Sequence, residues 1–153
     1  ASGDWSSDVC SSDLKLQKSN HTILLVLEKG EDIVECITTF ADDQDLTFTS
    51  VSGIGACDDV VLKFFNLTTK QYEEKHITEP LELTSLLGNI SRLDNGHFAH
   101  LHATFGTQSY ETFSGHLAKA IVSATAEIIL TVTDLDIQRS FKDAVGLNLL
   151  DPQ

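Results

Sequence analysis

The sequence predicts an α+β fold in which one main helix packs on a largely antiparallel sheet. Three observations predict it. Only the segment 31–44 repeats its apolar residues, Ile33, Val34, Ile37, Phe40 and Ala41, at helical spacing. Several other runs are short, apolar and β-branched. Finally, "DNG" (94–96) sits between two such runs, the pattern of a tight antiparallel hairpin.

In chain order, "TILLVLE" (22–28) reads as a strand that "KGED" punctuates. The helix follows, with Glu31 and Asp32 placed in its first turn, where the helix dipole favours acid. "LTFTSVSGIGAC" (46–57) begins with strand alternation and ends in Gly53 and Gly55. "VVLKFFNL" (60–67), "QYEEKHI" (71–77) and "LELTSLLGNISRL" (81–93) read as further strands, with "TTK" and "TEP" as turns. "HFAHLHATFG" (97–106) is the return strand of the hairpin. "AKAIVSA" and "AEIILTVT" are two more β-branched runs before "IQRSFKDAVGLNLLD". No repeat or Pro-rich linker divides residues 15–153, which suit one domain.

Residues 1–14 stand apart. "DWSSDVCSSDL" is rich in Ser and Asp, has no Lys or Arg, and lacks any strand or helix periodicity. It has neither the apolar run of a secretory signal nor the Arg-rich character of a transit peptide. It resembles the translation of a sequencing-library adapter, and the expectation is an artefactual, disordered and dispensable tail. Trp5 and Cys10 go with it.

Charge and composition exclude several functions. The net charge is −13, or −10 once Asp4, Asp8 and Asp13 are set aside, and Arg92 and Arg139 are the only arginines. Unaided binding to phosphate backbones needs clustered Lys and Arg, so direct DNA binding is not expected. No run approaches the ~18 apolar residues of a membrane span. Cys36 and Cys57, without a secretory signal, point to reduced thiols in the cytoplasm.

The chemistry concentrates in "HFAHLHATFGTQSYETFSGHL", which holds four of the six histidines. Residues i and i+2 of a strand point the same way, about 6.6–6.8 Å apart. His100 and His102 therefore share a face, while His97 points to the other. His116 lies far enough on for a turn and an adjacent strand to return it opposite the pair. Three imidazoles with a vacant position make an open metal site rather than a closed structural one. The plainer alternative is that alternating histidines hydrogen-bond their neighbours. Cys57 with Asp58 suggests a nucleophile, but a buried structural thiol is the better reading. "GIGAC" lacks the Lys and helix of a phosphate loop, which leaves a tight turn or bulge. Glu82 and Glu127 are candidate partners for the histidines or, more simply, solvated sheet positions. "QYEEK" reads as a solvent-facing strand.

The ordered segments "LVLEKGEDIVECITTFADD", "FTSVSGIGA", "LELTSLLGNIS", "HLHATF", "SGHL", "ATAEIIL" and "R…GLNLL" resemble the PPC (plants and prokaryotes conserved) domain over essentially the whole chain from Leu16. The resemblance implies about seven strands, a homotrimer, and a divalent metal, most often zinc, held in single-domain prokaryotic members by the histidines matching His100, His102 and His116. The family's double glycine is here Ser114-Gly115. A DNA-binding label also comes with the family, through plant members that carry an Arg-Gly-Arg segment absent here. The expected function is a regulatory or interaction role for a metal-binding domain. The alternative is a metal-dependent enzyme acting on a small molecule bound at the metal, although no general acid or base is legible.

Overall fold

The computed structural model describes residues 14–153, so the expectations for residues 1–13 lie outside the described residues. The chain forms β1 (Lys15–Ser19), β2 (Thr22–Glu28), α1 (Ile33–Gln44), β3 (Thr49–Asn66), β4 (Gln71–Ile77), β5 (Leu81–Leu93), β6 (Gly96–Gly106), β7 (Thr112–Val132), β8 (Gln138–Lys142) and β9 (Leu147–Asp151). One helix packs on a largely antiparallel sheet, as the patterning predicts. Among the described residues the sheet has nine strands rather than about seven.

The difference has local causes. β1 is exposed at every position, so it carries no apolar alternation to betray it. It is held as an edge ribbon by pairing Lys15–Ser19 with Thr22–Val26. β8 and β9 form a short added hairpin that joins the sheet through a single parallel pairing, Arg92 with Gln138. The runs 46–57 and 60–67 prove to be one strand, β3, and "AKAIVSA" and "AEIILTVT" are one strand, β7. The ladder between them continues through irregularities at Gly55/Cys57, Cys57/Asp59 and Val61/Leu62. "GIGAC" is thus a bulged stretch of strand, which bends the chain without ending it.

β3 pairs with β5, β5 with β6, β6 with β7, and β7 with β3. The sheet therefore closes into a ring. Inward side chains fill it, among them Leu83, Leu101, Phe105, Leu117 and Ile128, all 2% exposed or less. Helix α1 covers part of this core from β6 and β7, burying Ile33, Cys36, Ile37, Phe40 and Ala41. Its start lies two residues later than the patterning suggests. Asp32 is the cap, accepting from the Val34 N–H at 3.0 Å, while the Glu31 carboxylate accepts from the Glu28 N–H at 2.7 Å. Asp45 ends the helix in the left-handed conformation, with φ 47°.

Cys57 is fully buried, and burial with Asp58 and Asp32 nearby pushes its thiol up to about 12. It is a structural thiol and not a nucleophile. Among the described residues no helix is long and apolar enough to cross a membrane.

Candidate metal centre

Strand parity decides which histidines meet. On β6, Ala99, Leu101, Ala103 and Phe105 point into the core, so His100 and His102 face outward. His116 on β7 stands directly opposite His102 in the β6–β7 ladder. Ring centroids lie 5.1 Å apart for His100 and His102, 5.5 Å for His100 and His116, and 5.7 Å for His102 and His116. One ligand nitrogen from each lies within 4.8 Å of the others. A tetrahedral zinc with bonds of 2.0–2.1 Å needs nitrogens about 3.3 Å apart, a gap that ring rotation closes.

The donor set fits a metal. No hydrogen bond joins these three rings to a described residue. His97 and His76 behave differently. His97 faces the helix, its side chain only 3% exposed, with Nδ1 2.9 Å from Asp42 Oδ1 and Nε2–H donating to the Leu46 carbonyl at 2.7 Å. His76 lies 2.5 Å from Asp59 on the exposed rim of the sheet. Both are satisfied by neighbours; the outward three are not.

The surroundings favour the neutral form of two of the three rings, His116 and His100. Burial, then the neighbouring histidines and Lys63, push His116 down to about 4. Burial, then Arg139 and His102, lower His100. Neutral imidazole is the ligating form.

Two hairpins flank the histidines. From β3 and β4 come Lys63, paired with His116 in the ladder, and Tyr72, whose ring lies 5.3 Å from that of His116. From β8 comes Arg139, 8% exposed, stacked 5.1 Å over Phe98. The hairpin tips meet where Lys70 Nζ donates to the Asp143 carbonyl at 2.7 Å. Tyr72 belongs to "QYEEK", which is solvent-facing as expected apart from this contact. Tyr72 and Arg139 escaped the sequence reading of the site because they come from other strands. The one available signal was an arginine in a chain with only two.

Gly115 supports the spacing of the site, since a Cβ there would lie 3.1 Å from the Lys63 carbonyl oxygen. Ser114 sits in regular strand opposite Thr104 and needs no left-handed conformation, so serine replaces glycine without strain. Glu82 and Glu127 do not approach the histidines. They line a shallow depression of about 570 Å³ with Ile54, Thr84 and Thr125.

Residues 15–134 match the model of the Plants and Prokaryotes Conserved (PCC, also PPC) domain. The chain belongs to the PPC family. Among solved structures, it is similar to a metal-containing protein from Archaeoglobus fulgidus, at 31% identity and TM-score 0.79 over 92% of this chain and 97% of that one. It is also similar to a protein from Bacteroides thetaiotaomicron named, provisionally, as DNA-binding, at 30% identity and TM-score 0.87 over 90% and 96%. A PPC protein from Pyrococcus horikoshii aligns at 27% identity and TM-score 0.80 over 94% and 97%. No curated protein matches the chain.

Proposed function

We propose that this PPC chain holds one divalent metal ion, most favourably zinc, on His100, His102 and His116, and works as a cytoplasmic homotrimer in a regulatory or interaction role. The observation that carries the reading is the convergence of three unbonded ring nitrogens within 4.8 Å. The metal-containing relative from Archaeoglobus fulgidus supports it. Assembly is supported by the outer sheet face. Leu24, Ile129, Ser52, Leu87, His102 and His116 are successive cross-strand neighbours, so exposed apolar residues run up to the histidines. Contiguous apolar surface of this kind marks an interaction site.

A bound ion would act there as a Lewis acid with one position left for water or a ligand atom. The chain's own part is to hold three imidazoles on a rigid ladder and to shield them between two hairpins. That open arrangement favours, as a second reading, a metal-dependent enzyme acting on a small molecule. The DNA-binding name of the Bacteroides relative finds no support in a net charge of −13.

Metal analysis of desalted protein tests the main reading, with light scattering for mass. One equivalent of metal per chain and a trimeric mass are expected, with no saturable duplex binding at physiological salt. Folded protein that retains no metal after zinc loading would sink the metal assignment, and a monomeric mass at micromolar concentration the assembly.

A further inference from the structure

Near the histidines this acidic chain builds a locally basic place. Arg139 is 8% exposed, yet among the described residues no carboxylate pairs with it. Its Nε–H donates to Ser91 Oγ at 2.7 Å, Nη1 to the Asn148 carbonyl at 3.0 Å, and Nη2 to Asn89 Oδ1 at 2.9 Å. All three acceptors are neutral. A guanidinium carries five N–H donors, so the two terminal nitrogens each keep one beyond these bonds. Buried charges in proteins are normally paired, because leaving one without a counter-charge is costly.

The position of this cation matters. Asn89, which holds it, stands opposite His100 in the β5–β6 ladder, and Phe98, beneath it, lies 6.3 Å from the His100 ring. After burial, its charge is the next cause that lowers His100, and Lys63 contributes in the same sense at His116. Lys63 does have a partner, Glu74 at 3.1 Å on the rim. Three neutral ligands would leave a divalent ion its full charge, and Arg139 adds to it. An anion there would offset that charge.

We propose that Arg139 anchors a small oxyanion, a carboxylate or a phosphate, beside the metal position on His100, His102 and His116. The proposal rests on the metal reading for its location. The planar fork matches both oxyanions in a two-pronged bond that an ammonium cannot reproduce. Ser91, Asn89 and the Asn148 carbonyl are positioning groups that fix the fork.

The test uses the full chain, metal-free and zinc-loaded, with inorganic phosphate and acetate as probes. Nuclear magnetic resonance follows the Arg139 Nε–H, and calorimetry gives affinity. A saturable shift of that resonance in the zinc-loaded protein is expected. Arg139→Lys should keep zinc stoichiometry and weaken the anion by at least about tenfold. Response to phosphate alone assigns a phosphoryl ligand, to acetate alone a carboxylate, and to both a general oxyanion site; each supports the proposal. Silence of the resonance to both probes overturns it, as does undiminished affinity in Arg139→Lys. If Arg139→Lys does not fold, the wild-type resonance still decides. Should the chain take up no zinc, the metal reading fails separately, and the metal-free titration decides for Arg139 by the same shift or its absence.

Discussion

Exchanging His97 and His102 for alanine, one at a time, separates a histidine that holds the fold from one that faces the site. They lie on the same strand with opposite parity. The His97 ring is 3% exposed and bridges Asp42 at the end of α1 to the Leu46 carbonyl. His97→Ala strips the Leu46 carbonyl of its donor and opens a cavity at the helix end. A lost bond of this kind with its unpaired partner costs about 1–3 kcal/mol, and truncating the buried ring brings the total to about 2–4 kcal/mol. At about 2–4 °C per kcal/mol for a chain of this size, Tm should fall by roughly 4–16 °C. Zinc stoichiometry should stay at one. His102 is exposed and unbonded, so His102→Ala should leave the metal-free Tm nearly unchanged, within about 0.5 kcal/mol. It should abolish stoichiometric zinc and the rise in Tm that zinc gives the parent protein. Circular dichroism melts, with and without zinc, and elemental analysis of the same samples read both effects. Loss of zinc in folded His97→Ala with retention in His102→Ala would refute the parity argument, and the site with it.

Three further outcomes are expected. In Gly88→Ala the new Cβ would collide with the His100 carbonyl oxygen, so β5 and β6 must separate; a loss above about 3 kcal/mol and weakened zinc uptake should appear in melts and dialysis. Asp32 Oδ1 accepts from the N–H groups of Val34 and Ala120, so Asp32→Ala should cost about 2–4 kcal/mol by denaturant titration. Asp32→Asn keeps the acceptor, and because burial raises the Asp32 pKa, the parent protein carries an ionisation penalty at neutral pH that fades as pH falls through the folded pKa. The asparagine variant should therefore compare best above that pH and lose ground below it. Because burial lowers His100 and pushes His116 down to about 4, protons reclaim these two ligands only well below the ~6.5 of a free imidazole. Zinc measured by equilibrium dialysis should stay bound through pH 6 and be released towards pH 4; release centred at 6.5 would contradict this.

Local features were legible in the sequence wherever one residue pattern answers to one environment. The ranges 22–28, 71–77 and 81–93 coincide with β2, β4 and β5 because each strand alternates or is bounded by clear turns. The outward placement of His100 and His102, with His97 opposed, follows from the period of a strand alone. What escaped is nonlocal. β3 and β7 look interrupted at Gly55 and Thr125 because bulges break alternation, yet each ladder resumes across them. Ring closure pairs Thr49 with Val132, a relation no short window contains. Arg139 reaches the histidines from a hairpin added beyond the ring, so only the assembled fold reveals its neighbours.

All three candidate ligands belong to the hairpin of β6 and β7, between positions 100 and 116, joined by the turn at Thr107–Glu111. Bringing the ends of so short a loop together costs little entropy. The seam of β3 with β7, by contrast, unites distant parts of the chain, which makes it a slow step of folding. On the metal reading proposed above, a nascent or partly unfolded chain would gather the ion on this hairpin before the ring closes. Binding to such states reduces how much the metal adds to equilibrium stability. The place of Arg139, however, exists only after β5, β8 and β9 have come together over the finished hairpin. On the two proposals above, metal capture would be open to immature chains, while recognition of the anion would be reserved for completely folded ones.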